Sequence, residues 1–429
     1  MTTRLPFKVS AKAARLIGRE NVSSAEGALA ELVKNTYDAD ADHCLMLFLR
    51  KYKSPPGKLS WSDYKRLESW GLQPGDHYEM DVGEQEATRQ VFSNPEEADH
   101  LISNLRELWL IDNGTGMSAS VIEDNWMVIG TNNKEKNTFS EKGRVRSGAK
   151  GIGRFALDRL GQTCQLFSRS SEENKLSTIE WNVDWRDFDD AGQTLDAVTA
   201  SIKEGNAGYE LAIEELKSTL KNRKEEDKPS VEDGNTGTII QIRNLYDHWS
   251  KKRIEVLRRS LSTLVPPAER RTFEVYLLDD GMTDEAARVG SDVTNDYDYK
   301  IDAAVDQNGK IKISVDRNEL NHSEFSGALF AQDDMQEFPF RKIDFEKRTY
   351  CVEQPTDEFL GEPSDELMKK IRKIGPFAIT LRFFKLSRAS KSDSERYPYR
   401  SYQTNRRREW LDLFGGIKIY RDNFNVRPY

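Results

Sequence analysis

Glu31, Asn35 and Asp38 fall in the single stretch ELVKNTYD, four and then three residues apart. Two carboxylates and an amide at this spacing can hold a hard cation and a water. Magnesium takes oxygen ligands and keeps several waters of its own, so one Asn oxygen plus phosphate oxygens is enough to hold it. The remaining carboxylate can then orient or deprotonate an attacking water. Two glycine-bearing motifs follow, Asp112-Asn-Gly114-Thr-Gly116 and Gly148-Ala-Lys150-Gly151-Ile152-Gly153. A carboxylate fixed at a strand end can accept from an exocyclic amine, which is how an adenine would be recognised. A glycine loop feeding a helix presents backbone N–H groups and a positive dipole end to phosphates. Lys150 and Arg154 add formal charge there. Acid, amide and acid followed by two glycine loops outline a nucleotide site. It is not of the P-loop kind, because no G-x-x-x-x-G-K-[ST] occurs in the chain.

These groups need elements to hold them. Residues 28–34 are rich in Ala and Leu without Pro or Gly, which predicts a helix. At 100° per residue, Glu31, Asn35 and Asp38 fall within about 60° of one another on that helix. Residues 108–111 are an apolar run that reads as a buried strand ending at Asp112, and Asn113-Gly114 turns the chain after it. Residues 154–160 read as a helix entered from the glycine motif, and Gly237-Thr238-Ile-Ile-Gln-Ile242 as a strand. The Thr238 hydroxyl can bridge to an aspartate such as Asp112, directly or through water. Taken singly, each piece has an ordinary reading: a solvated helix face, a common Asn-Gly turn, a dinucleotide or kinase glycine loop, a β-branched strand residue. The dinucleotide reading lacks a strand leading into the loop, since residues 142–147 are polar and basic, and no H-R-D or D-F-G supports a protein kinase.

In order and content the four motifs resemble the GHKL ATPases: gyrase, the ninety-kilodalton heat-shock chaperone, histidine kinases and MutL. The resemblance covers about half the chain and implies an α+β protein, with a Bergerat-type αβ sandwich followed by a mixed α/β, transducer-like domain. It assigns Glu31 as general base, Asn35 as magnesium ligand with Asp38 beside it, and Asp112 as the adenine-binding aspartate. Gly114, Gly116 and the adjoining Met117 match the turn beside that aspartate. Gly148, Lys150, Gly151, Ile152 and Gly153 match the lid and phosphate loop, and Thr238 the last nucleotide motif. The run Ile129-Gly-Thr-Asn-Asn-Lys134 resembles the segment before the glycine loop and makes Lys134 a phosphate neighbour. The final run, ending Arg427-Pro-Tyr429, resembles a MORC strand and makes Arg427 the candidate γ-phosphate sensor, with Arg421 in reserve; solvent-facing strand arginines are the ordinary alternative.

The same resemblance implies ATP and Mg2+ as cofactors, an ATP-gated homodimer, and hydrolysis that drives remodelling of a DNA or protein client, in bacterial defence or stress. Residues 1–25, with Phe7 and Leu16 as apolar anchors, would exchange between protomers. Histidine-kinase catalytic domains usually lack the base present here as Glu31, which favours a hydrolase. A histidine-kinase-like phosphotransferase and a non-hydrolysing ATP-dependent scaffold stay open as alternatives.

The chain length predicts two or three domains. Helical spacing of Ile254, Leu257, Leu261 and Leu264, ended by Pro266-Pro267, marks a boundary. It divides the chain into an ATP-binding domain over 1–268 and a second domain over 269–429, in which strand signals dominate around 272–278, a hairpin at Asn308-Gly309, 377–386 and 416–420. Insertions fall near 50–100, where aromatics suit either a partner surface or a small packed excursion, and at 203–235, which reads as a solvated helix and a mobile loop. Residues 389–408 read as a flexible polar loop. Relatives of this kind continue past the last residue, which predicts an effector region outside this chain.

Composition sets the surroundings. Charged residues make up 32%, hydrophobic ones 37%, and mean hydropathy is −0.73, which predicts a water-soluble protein. No apolar run approaches the roughly eighteen residues a membrane helix needs, and the start is not that of a signal peptide. Three widely spaced cysteines suit reduced thiols in a cytoplasmic protein. A net charge of −8 argues against a general nucleic-acid binder, although local basic patches occur at 251–259 and 406–408.

Overall fold

A computed structural model describes residues 9–128 (without 21, 23, 82, 84, 91 and 92), 139–146 (without 145), 155–223 (without 173, 174, 190, 191 and 222), 229, 236–264, 273–290 (without 281–286), 296–338, 340–361, 363–387, 399–421 and 424–428. It is an α+β protein of two compact units, residues 1–291 with 417–429, and residues 292–416. The division between the units thus falls at 291/292, and the closing stretch groups with the first unit.

The first unit begins with helices α1 (Ala11–Glu20) and α2 (Ala25–Asp38) and strand β1 (His43–Arg50). Strands β2 (Lys58–Ser60), β3 (Tyr78–Asp81) and β4 (Glu86–Arg89) follow, interleaved with helices α3 (Trp61–Ser69) and α4 (Pro95–Ile102). Next come β5 (Arg106–Asp112), α5 (Phe155–Leu160), β6 (Gly161–Glu172), β7 (Lys175–Asp184) and β8 (Ser201–Glu204). Helix α6 (Ala207–Leu220), β9 (Gly237–Leu245), α7 (Lys251–Ser262) and β10 (Glu274–Asp279) complete this part.

Seven of these strands form one mixed sheet in the order β10-β1-β5-β9-β6-β7-β8, with β10 parallel to β1 and the other pairs antiparallel. β1 reads HCLMLFLR, apolar nearly throughout rather than alternating, as a strand buried on both faces should. One face carries Cys44, Met46, Phe48, Leu108, Leu110, Leu166, Ile240 and Ile242 into a core shared with α1, α2, α5 and α7. The other carries Leu45, Leu47, Trp109, Ile111, Phe167 and Ile239 against α6.

That second layer differs from the solvated helix expected near 203–235. α6 buries Tyr209, Ala212, Ile213, Leu216 and Leu220, which recur at helical spacing, while its many charges point outward. The charges dominate the local composition, and the apolar stripe decides the packing. The excursion after β1 is compact as well. β2, β4 and β3 form a small antiparallel sheet around a core of Leu59, Tyr64, Leu67, Tyr78, Ala87, Leu101 and Ile102. Its fully buried Asp63 accepts from Lys51, Tyr52 and Ser60. Burying a charge demands such partners.

The second unit contains an antiparallel sheet of β11 (Tyr299–Val305), β12 (Lys310–Arg317), β13 (Thr349–Pro355) and β14 (Phe377–Phe383), in the order β13-β12-β11-β14. β11 and β12 join through the expected hairpin, where Gly309 has φ +76° and Asp306 Oδ1 accepts from the amides of Asn308 and Lys310. Among the described residues no helix is long and apolar enough to cross a membrane.

Because Leu216 is fully buried against the sheet, Leu216→Ala should destabilise the first unit by about 2–5 kcal/mol in chemical unfolding. A loss below about 0.5 kcal/mol, the usual bound for surface changes, would mean α6 is not a core layer.

Candidate nucleotide site

Helix α2 starts cleanly because Ser24 Oγ accepts from the Gly27 amide at 3.0 Å, a side-chain N-cap. Its apolar side, Ala28, Leu29, Leu32 and Val33, is buried in the core, which turns Glu31 and Asn35 to the partly accessible side. Asp38, at its last position, is buried. Glu31 accepts from the Lys34 ammonium at 2.6 Å, with 46% of its side chain exposed. Such an exposed pair contributes little and breaks readily.

Strand register makes the arrangement across the sheet explicit. Cys44 pairs with Asp112, Asp112 with Thr238, Thr238 with Ser168, and Ser168 with Ile179. Side chains in register share a face. By strand alternation it is the face toward α2, so three polar groups from β5, β9 and β6 form a row flanked by Cys44 and Ile179. The hydroxyls of Ser168 and Thr238 lie 3.0 Å apart, and Ser168 Oγ accepts from the Met117 amide at 2.8 Å. Burial pushes the Asp112 carboxyl up to about 7, although the Gly114 amide donates to it at 2.9 Å and the Thr238 amide donates as well. Desolvation of the charged form outweighs the two N–H bonds.

Glycines let the turn after β5 close over this row. Gly116 has φ +69°, and a methyl group there would run into the Arg169 carbonyl. At Gly114 a Cβ would sit 2.5 Å from the Ala39 carbonyl oxygen. Asn113 Oδ1 meanwhile accepts from the amides of Asp42 at 2.9 Å and His43 at 3.2 Å, tying the turn to the start of β1.

Asn35, Asp38, Asp112, Gly114, Gly116, Met117 and Thr238 all lie on the elements expected of them. Lys134, Gly148, Lys150, Gly151, Ile152 and Gly153 lie outside the described residues, as does Phe7. Arg427 is on a strand, Phe424–Pro428, paired antiparallel with Lys418–Arg421, and its side chain is outside the described set. Leu16, on α1, is exposed. Ser168 is an addition that no motif announced. Its one signal is a polar residue at an inward position of β6, after Cys164 and Leu166.

A cleft of about 680 Å³ lies elsewhere, lined by Arg15, Arg19, Arg159, Arg186 and Tyr246. Its guanidinium groups are already matched: Arg15 and Arg19 by Asp158, Arg159 by Asp247, Arg186 by Asp184. Asp158 is fully buried on α5, so these pairs fasten α1 to the helix that follows the glycine motif. They make a latch rather than an anion site.

Residues 93–217 match the family model of histidine kinase-, DNA gyrase B- and HSP90-like ATPases. No match is found among curated proteins. The matched stretch contains Asp112, Gly114, Gly116 and the glycine motif; Glu31, Asn35 and Thr238 lie outside it. The likeness to these ATPases covers that stretch, and ATP binding is what it suggests.

The raised Asp112 carboxyl makes the free protein pH-sensitive. A carboxyl whose folded value lies above its unfolded one contributes stability that is complete below about pH 4 and lost as pH rises through about 7. Thermal unfolding should therefore show a falling contribution across that window in the wild type, and Asp112→Asn should remove it. An unchanged slope in the variant would place the titration elsewhere.

Proposed function

We propose that this chain binds ATP with magnesium and hydrolyses it, using α2 for the hydrolytic chemistry and the Asp112 row for the base. The observation that carries the reading is the Asp112–Thr238–Ser168 row: an acceptor carboxylate and two hydroxyls set into an otherwise apolar face, the chemistry that fits an adenine edge and its bridging water. The 6-amino group donates to Asp112, while the ring lies against the turn of Gly114, Gly116 and Met117. Asn35 would supply an oxygen to magnesium, and Asp38 supports that end of α2. Bound magnesium would neutralise phosphate charge. The glycine motif with Lys150, and Lys134 before it, are the proposed phosphate contacts, and Arg427 the proposed γ-phosphate sensor.

Glu31 takes a proton from the attacking water, the water oxygen bonds to the γ-phosphorus, and the bond to the ADP oxygen breaks. Its present partner Lys34 must yield for this to happen, and an exposed pair yields cheaply. The ATP-bound state would organise the N-terminal segment, where exposed Leu16 is an apolar contact for a second copy, and the cycle would act on a DNA or protein client. The Lys34 contact also favours a second reading, a non-hydrolysing ATP-dependent scaffold in which Glu31 never acts as base.

Phosphate release and ATP binding by wild type and Glu31→Ala decide between these. Hydrolysis should fall about a hundredfold or more with affinity nearly unchanged, the size of a general-base contribution. Mass measured with ATP and magnesium should report a dimer that persists in the variant. Equal turnover in both proteins would remove Glu31 as base, and tight binding without turnover in either would establish the scaffold.

A further inference from the structure

We infer that the turn at residues 39–42 is the joint that holds the adenine end and the phosphate end of the site in register, with Asp40 and Arg144 as its positioning residues. The inference rests on the nucleotide reading above. Three separate stretches converge on this one turn. Helix α2, with Glu31 and Asn35, ends directly before it. The turn after Asp112 is fastened to it, because the Thr115 amide donates to the Ala39 carbonyl at 2.9 Å and Gly114 sits against the same carbonyl. Residues 140–144, which lead in sequence to the glycine motif at 148, are fastened to it from the other side.

That last attachment is built from buried charge. Asp40 is 4% exposed and holds φ +61°, a backbone state that non-glycine residues seldom adopt. Its carboxylate accepts from the Ser140 hydroxyl at 2.5 Å and from the Lys142 amide at 3.0 Å. Arg144, 7% exposed, donates to the carbonyls of Ala41 at 2.6 Å and Tyr37 at 3.3 Å, and lies over the Tyr37 ring at 4.7 Å. Ser140 closes the loop, with its hydroxyl accepting from the Arg144 amide at 3.0 Å and its own amide donating to the Arg144 carbonyl at 2.8 Å. The Tyr37 carbonyl belongs to the last turn of α2, where carbonyls lack helical partners and a cation is favoured.

A chain merely passing by would need none of this. Ordinary packing could be met by apolar contacts, whereas a buried aspartate and a buried arginine are stable only when each keeps its bonds in one geometry. The clamp fixes where residue 144 stands relative to α2, and the glycine motif begins four residues later. A base held at Asp112 and a cation held at Asn35 are separated by a fixed length of nucleotide. Losing the 140–144 attachment, which leaves the Thr115 and Gly114 contacts with Ala39 in place, therefore falls on the triphosphate and spares the base.

Binding of ATP and of adenosine is therefore measured side by side, by titration calorimetry, for the full chain and for Asp40→Ala, Asp40→Asn, Arg144→Ala, Arg144→Lys and Ser140→Ala. Losing a charge-assisted bond should weaken ATP binding by about tenfold or more in Asp40→Ala and Arg144→Ala, with adenosine affinity changed by less than about threefold. Asp40→Asn, which keeps an acceptor, should recover much of the loss. Arg144→Lys should recover little, because an ammonium cannot reproduce the forked donors. Ser140→Ala removes only a hydroxyl and serves if the charge variants fail to fold; it should weaken ATP several-fold and spare adenosine. Equal losses for ATP and adenosine, or ATP binding unchanged in every folded variant, would overturn the joint while leaving the nucleotide reading in place. A wild-type chain that binds neither ligand would remove that reading itself.

Discussion

A carboxylate set into the apolar face of a two-sided sheet is the constraint around which the first unit is arranged. Asp112 ends β5 in register with Cys44 on one side and Thr238 on the other. Its carboxyl is held up near 7 by burial. A group in that position is tolerated only with donors around it, and the chain supplies them from its own backbone at Gly114 and Thr238. Thr238 and Ser168 extend the polar row by two strands, which gives it a direction across the sheet. The glycines after β5 follow from the same constraint, since the turn must approach Ala39 and Arg169 more closely than any side chain permits.

Helix α2 meets this row at its C-terminal end, and that end is where the attachments gather. Asn113 bonds the start of β1, Thr115 bonds Ala39, and Arg144 bonds the carbonyls of Tyr37 and Ala41. The far side of α5 is fixed by a different set of charges, Arg15 and Arg19 on Asp158. The stretch carrying the glycine motif is thus bounded by two buried ion-paired anchors, one on the site helix and one on the N-terminal helix.

Much of this was legible in the chain. The apolar run at 108–111 ending in Asp112-Asn-Gly marks a strand and its turn by composition alone, and the Ala- and Leu-rich residues 28–34 mark a helix. Ser168 was not legible as a site residue, because a polar residue at an inward strand position gains meaning only when register sets it beside Thr238. Residues 142–147 read only as polar and basic, and the clamp at 140–144 had no local signal, since its partners lie about a hundred residues earlier. Helix α6 carries its apolar stripe beneath a charged composition, and the stripe was the better guide. The parallel pairing of β10 with β1 is likewise a long-range event that no local pattern contains.

The central claim is that Asp112 accepts from the 6-amino group of adenine. Titration of the wild-type chain with ATP and with inosine triphosphate, at a pH well above 7 where the Asp112 carboxyl is charged, tests it most directly, because the two differ at that position and share the triphosphate. A carbonyl oxygen facing the Asp112 carboxylate loses a bond and gains a repulsion, so ATP should bind about a hundredfold tighter or more. Equal affinity for the two nucleotides would contradict the assignment of the row as the base-recognition site.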